Sequence, residues 1–161
     1  MKRVLLALCA VALLAGVSYA AKPAKMRKSV GFNTQTGVDA VSYRVWTGKN
    51  GIGWEALLGF ADIDNGTGAV STSVLGGKYL KCLKKEQNLK AYFFALVAIK
   101  DTGENGTMLG GGLGVEFFLN GLPNLGFGAE IAAISDDTKN AKFTGISAGP
   151  ESSIGVRYYF K

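Results

Sequence analysis

The 161 residues contain no histidine. Histidine is the usual general base near neutral pH, so the common Ser-His-Asp and Cys-His arrangements are excluded. Cysteine is nearly absent, with Cys9 and Cys82 alone. That scarcity, together with the lack of histidine, leaves no transition-metal cluster to build. Proline occurs three times, and hydrophobic residues make up 48% of the chain, a balance that argues against disorder. No segment keeps an i, i+3, i+4, i+7 stripe over three turns, so no helix is expected. Glycine, in contrast, is abundant: 23 residues, without a Gly-X-Y period.

The first twenty residues read as an export signal rather than as part of the fold. Lys2 and Arg3 form a basic start, Val4 to Val17 is apolar, and Ser18-Tyr19-Ala20 places small residues for a cut before Ala21. The apolar core spans about 14 residues, short of the roughly 20 a membrane helix needs. Leu8 precedes Cys9 and is not small, so lipid attachment at that cysteine is not expected. The expected organisation is a cleaved signal peptide over 1–20, a short basic tail over 21–27 and one domain over 28–161. Cleavage lowers the net charge from +6 to +4 (16 basic minus 12 acidic residues) and leaves Cys82 without a disulfide partner.

What recurs along the domain is alternation with period two, broken by turn signals. Asn-Gly, which favours tight hairpins, occurs at 50–51, 65–66, 105–106 and 120–121. Cutting at the turns predicts about eight strands: 28–34, 39–48, 52–62, 69–82, 88–100, 107–119, 124–135 and 153–161. A two-residue turn at Asn50-Gly51 would pair Thr47 with Trp54, Val45 with Ala56, Tyr43 with Leu58 and Trp46 with Glu55. A turn at 120–124 would pair Leu119 with Leu125, Val115 with Ala129 and Glu116 with Gly128.

The sense of the alternation is informative. From 52 to 61, Ile52, Trp54, Ala56, Leu58 and Phe60 oppose Gly53, Glu55, Leu57, Gly59 and Ala61. From 109 to 120, Leu109, Gly111, Leu113, Val115, Phe117 and Leu119 oppose Gly110, Gly112, Gly114, Glu116, Phe118 and Asn120. From 125 to 134, Leu125, Phe127, Ala129, Ile131 and Ala133 oppose Gly126, Gly128, Glu130, Ala132 and Ile134. The large apolar face would be a poor surface in water. The glycine-rich face with single charges suits the inside of a narrow barrel. Ala91 to Ile99 is an apolar run between Lys90 and Lys100, half the length of a membrane helix but right for a tilted membrane strand with a lysine at each interface. Aromatics near strand ends (Trp46, Trp54, Phe60, Tyr79, Phe117, Phe127 and Tyr158 to Phe160) fit interfacial girdles. The facing of strands 1 and 4 is not decided by the pattern. The fold class expected is therefore all-β: a closed antiparallel up-and-down transmembrane β-barrel of about eight strands.

The C-terminal segment Ile154-Gly-Val-Arg-Tyr-Tyr-Phe-Lys161 puts Ile154, Val156, Tyr158 and Phe160 on one face. It resembles the terminal strand of bacterial outer-membrane proteins, with Lys161 as a departure one residue past the terminal aromatic. Size, leader and strand pattern over roughly 26–161 resemble the small OmpA-type and OmpX-type barrels. The resemblance implies a bacterial outer-membrane location, Val156, Tyr158 and Phe160 as the assembly signal, and outer-membrane lipid and the barrel assembly machinery as partners. With the N-terminus in the periplasm, the connections near 48–51, 83–88 and 120–124 would be periplasmic. Those at 35–38, 62–68, 101–107 and 136–152 would be external, the last the main contact segment for an envelope or host surface ligand.

Chemistry-bearing residues are few. Arg44, Glu55, Glu116, Glu130 and Arg157 fall on the inward face and are expected to pair as a structural polar network, because a buried unpaired ion costs several kcal/mol. Arg44 is expected diagonal to Glu55. Asp62, Asp64 and Asn65 lack the glutamate an EF-hand loop requires, so no metal site is expected. The basic balance does not point to nucleic acid in an exported barrel. No catalytic residues, metal or cofactor are expected. The function favoured is a non-catalytic barrel with a structural or surface-interaction role and a salt-bridged, plugged interior. A small porin-like pore and a soluble lipocalin-like carrier are the alternatives.

Overall fold

The computed structural model describes residues 28–34, 36, 38–47, 51–64, 69–103, 105–138, 141–147 and 153–160. The expected signal peptide and basic tail, and the Asn65-Gly66 turn, lie outside the described residues. The described chain is strand and turn: β1 (Lys28–Asn33), β2 (Ala40–Thr47), β3 (Ile52–Asp64), β4 (Ala69–Lys85), β5 (Leu89–Asp101), β6 (Asn105–Leu119), β7 (Leu122–Thr138), β8 (Ala141–Ser147) and β9 (Ser153–Phe160). Every pairing is antiparallel between sequence neighbours, except that β9 pairs with both β7 and β1. The β1–β9 ladder runs from Lys28↔Phe160 to Asn33↔Gly155 and closes the sheet into a barrel. β8 and β9 lie along the same edge of β7, β8 against Ala132 to Thr138 and β9 against Leu125 to Glu130. The nine segments therefore form eight lines around the barrel. Closure leaves no open edge along the spanning part, as lipid requires.

Here the segment expected as a long external loop, 136–152, is corrected. Residues 136–138 extend β7, and 141–147 form β8. Lys142, Asn140, Gly145 and Pro150 disguise the segment as loop, while backbone pairing to β7 makes 141–147 strand.

The registers also differ from expectation in part. Thr47 pairs with Ile52, Val45 with Trp54, Tyr43 with Ala56 and Trp46 with Gly53, two residues from the predicted register. The connection spans 48–51, longer than a two-residue turn, and Gly51 carries the positive φ of 60°. A shift of two preserves facing, since the side-chain period is two. It also places Arg44 directly opposite Glu55 instead of diagonal to it. Between β6 and β7, Val115↔Ala129 and Glu116↔Gly128 stand as predicted, but Leu119 pairs with Leu122 across Asn120-Gly121, with a register shift after Phe118. Positive φ falls on Gly121 and not on Asn120, so this is not the mirror-image turn that Asn-Gly favours. Asn105 and Gly106 are strand residues paired with Asp101 and Lys100, and Gly103 carries the turn's positive φ of 85°.

Facing follows the sequence pattern. Trp54, Leu113 and Ile131 are 57%, 52% and 57% exposed, whereas Glu55, Glu116 and Glu130 are 2%, 0% and 2% exposed. Val30 and Phe32 of β1 and Leu75 of β4 also point outward, while Ser29, Asn33, Thr72, Val74, Lys78 and Leu80 point inward, which settles the two undecided strands. An exterior of Leu, Ile, Val, Phe and Trp is the surface of a transmembrane barrel and runs opposite to a lipocalin's, whose large apolar residues face a central cavity. At the end with the connections 48–51, 86–88 and 120–121, outward rings pair as Trp54–Tyr79 (5.1 Å), Phe117–Phe127 (5.6 Å) and Tyr43–Phe160 (6.5 Å). Trp46 and Tyr159, expected in this girdle, instead point inside.

Candidate functional site: the barrel interior

All five charged residues expected on the inner face are buried and lie close together, and two lysines join them. The buried ions among the described residues are Arg44, Lys78, Lys90 and Arg157 against Glu55, Glu116 and Glu130. Each comes from the inward parity of its strand, and the narrow bore brings opposite strands within side-chain reach.

Glu130 on β7 is the hub. Its Oε1 accepts from Arg44 Nη2 at 2.9 Å and from the Tyr92 hydroxyl at 2.6 Å. Its Oε2 accepts from Lys78 Nζ at 2.5 Å, Ser153 Oγ at 3.0 Å and Asn33 Nδ2 at 3.3 Å. The donors belong to β1, β2, β4, β5 and β9, so one carboxylate ties six of the eight lines. Glu55 is the second node. Its Oε2 accepts from Arg44 Nε at 3.1 Å and Nη2 at 2.6 Å, and its Oε1 accepts from Arg157 Nη2 at 2.8 Å. Charge-assisted contacts of this kind are the strong class of hydrogen bond.

Glu116 is held differently. The Tyr159 hydroxyl donates to its Oε2 at 2.5 Å, and Lys90 Nζ lies 3.7 Å from the same oxygen. Arg44 and Arg157 approach its Oε1 at 3.9 and 4.0 Å, by charge rather than by hydrogen bond. Lys90 was expected at a membrane interface. It points inside instead, with its ammonium over the Trp46 ring at 4.2 Å and the Tyr159 ring at 5.6 Å. Its register partner is Glu116, so its parity on β5 is inward.

Beyond this network the interior is mostly apolar, with Ser42 and Thr72 among its buried polar residues, and Lys100, expected at a membrane interface, turns inward past Val74 to pair with Asp136 at 3.5 Å. Leu57, Val74, Leu96, Ala98, Met108, Ala132 and Ile134 are buried toward the opposite end, around Val38 and Ala40. The inner face is therefore layered: aromatic rings and Lys90 at the tight-turn end, ions in the middle, mainly hydrocarbon beyond, and the Lys100–Asp136 pair past it. The expectation of a glycine-and-charge interior holds only for the lower two layers. Lys78, Lys90, Tyr92, Tyr159, Ser153 and Asn33 were not anticipated as network members. For Lys90 the usable signal was its place opposite Glu116 once β5 and β6 are aligned.

Inward glycines make room for these side chains. A Cβ built on Gly114 would overlap the ring and hydroxyl of Tyr92. Gly114→Val is therefore expected to displace Tyr92 from Glu130 and to destabilise the barrel by about 1–3 kcal/mol. A lowered urea midpoint in detergent would register it; an unchanged midpoint would mean that the ring has other room.

Val156, Tyr158 and Phe160 share the outward face of β9, with Ile154 beside them. Cys82 is a free thiol at the β-bulge between Cys82 and Lys84, and its amide donates to the Gly51 carbonyl at 2.6 Å. Asp62 accepts from Ser71 Oγ at 2.6 Å. Among the described residues, no three His, Cys, Asp or Glu side chains come together at metal-binding spacing.

No family model matches the chain, and no curated protein matches it by sequence. A solved structure of the Yersinia pestis outer membrane protein Ail, determined in a phospholipid bilayer nanodisc, is similar at 13% identity and a TM-score of 0.47. The match covers 84% of this chain and 100% of that one. What defines the class of this protein is its own geometry: a small, closed, antiparallel transmembrane β-barrel with buried ion pairs on its inner face.

Proposed function

We propose that the protein is a non-catalytic barrel of the bacterial outer membrane, closed to ion flow, that acts structurally or through the surface it presents outside. The observation that carries this reading is the occupied bore. Three carboxylates and four cations lie paired across it, backed by a largely apolar layer and, past that layer, by the Lys100–Asp136 pair at 3.5 Å. A conducting path needs continuous water, and a layer of buried apolar side chains between two ion-paired layers opposes it. Among the described residues, Glu55, Glu116 and Glu130 are each engaged by a cation or a tyrosine hydroxyl, an arrangement that supports a structural role over proton transfer.

The outward aromatic face of Val156, Tyr158 and Phe160 is the proposed assembly signal, read before the β1–β9 ladder closes. Orientation follows the tight connections: they face the periplasm, and the longer β3–β4 and β7–β8 hairpins face outside. Partner contact is assigned to those hairpins.

Planar-bilayer recording of the refolded protein tests closure. No steady conductance is expected at neutral pH, and long-lived channel openings in the wild type would contradict the plug and favour a pore.

A further inference from the structure

We propose that the barrel binds anionic phospholipid headgroups at the rim where the tight connections lie, at a site built from Lys28, Lys81 and the Trp54–Tyr79 ring pair. The inference rests on the membrane reading above and adds a lipid preference to it.

Charge around the barrel is sorted by end. Among the described residues, Lys28, Lys81, Lys84 and Lys85 gather at the tight-turn end. Exposed Asp39, Asp62, Asp101 and Asp137 lie at the other. Among the described residues, the tight-turn end carries one exposed carboxylate side chain, Glu86, and it sits 2.7 Å from Lys84. Basic charge at this rim is thus in excess.

Two of the lysines stand on the lipid-facing side. Lys81 pairs with Ile52 and Phe93, both on the outward parity, so its stem lies in the apolar band. Lys28 pairs with Phe160 and Val45, and Val45 in turn pairs with Trp54. Trp54 and Tyr79 face each other between them, edge to face at 5.1 Å, with Trp54 57% exposed. Lysine stems along hydrocarbon with ammonium heads at the water boundary, bracketing an aromatic pair, fit an acyl chain below and a phosphate above. Juxtamembrane lysines attract anionic lipid within a Debye length, and a zwitterionic headgroup gains little from them.

Trp54 is its own probe, because the second tryptophan, Trp46, lies inside the bore. The protein is folded into phosphatidylcholine vesicles containing an equal share of either brominated phosphatidylglycerol or brominated phosphatidylcholine, and tryptophan quenching is compared. Association of phosphatidylglycerol is expected to be about fivefold the stronger, to fall in high salt, and to drop to parity in the Lys28→Gln/Lys81→Gln variant. Folding of that variant is checked by its heat-dependent gel mobility, and the salt titration of the wild type stands without it. Equal quenching by both lipids in the wild type would overturn the proposal while leaving the membrane barrel intact. A preference that survives in the double variant would overturn the assignment to these lysines. Quenching by neither lipid would defeat the membrane reading itself.

Discussion

Glu130→Leu is expected to destabilise the folded barrel by about 3–5 kcal/mol, the usual cost of removing one partner of a buried ion pair. The substitution strips the acceptor from Lys78, Arg44, Tyr92, Ser153 and Asn33 at once. It leaves four buried cations facing two carboxylates. Lys78 suffers most, since Glu130 is its one carboxylate within ion-pair distance among the described residues, and the Phe94 ring, 4.8 Å from its ammonium, is a weaker partner. Equilibrium urea unfolding in lipid vesicles measures the loss. Adding Lys78→Met to Glu130→Leu is expected to recover a large part of it, because removing both charges spares the desolvation that one stranded ion must bear. A Glu130→Leu barrel within about 0.5 kcal/mol of wild type, the range of an ordinary surface change, would show that the hub carries no stability.

The second large effect concerns the opposite face. Leu113 lies midway along β6, 52% exposed, between Phe93 and Ile131 on the neighbouring strands. Leu113→Arg is expected to cost about 2–4 kcal/mol, the penalty for a guanidinium facing the bilayer midplane. The same change at Leu83, exposed at the β4 bulge near the tight-turn rim, is expected to cost about 0–1 kcal/mol. The depth dependence distinguishes lipid from water. If both variants fold with the same midpoint in vesicles, Leu113 is not in hydrocarbon.

Much of this barrel could be read from residue order because alternation is a local signal. β3, β6 and β7 each set a run of large apolar residues against a face of mainly small residues with a single glutamate, broken by Leu57, Met108, Phe118 and Ile134, so their facing followed from the alternation. β4 and β5 resisted for different reasons. In β4, Lys78 and Lys81 have opposite parity and Gly76-Gly77 blurs both faces. In β5, Tyr92, Phe94, Leu96 and Ala98 face in while Phe93, Ala95, Val97 and Ile99 face out. Both faces are apolar, so period two vanishes from the sequence, and Lys90 passed for an interfacial anchor. The apolar outer layer of the bore was hidden for the same reason. Turn chemistry misled at Asn50-Gly51 and Asn105-Gly106, where the longer connections and the register of the closed sheet override the preference for a two-residue turn. The hub role of Glu130 is a property of closure: its partners lie 23 to 97 residues away, a distance no local pattern bridges.

The central claim is tested most directly by methyl-labelled protein in lipid nanodiscs, through magnetisation transfer from acyl-chain protons. Adjacent residues make internal controls: Leu58, Leu75 and Val97 face out, while Leu57, Val74 and Leu96 face in. The account predicts acyl-chain cross-peaks at the methyls of Leu58, Leu75, Val97, Leu109, Leu113 and Ile131, and none at those of Leu57, Val74, Leu80 and Leu96. Cross-peaks at the second set and silence at the first would contradict it.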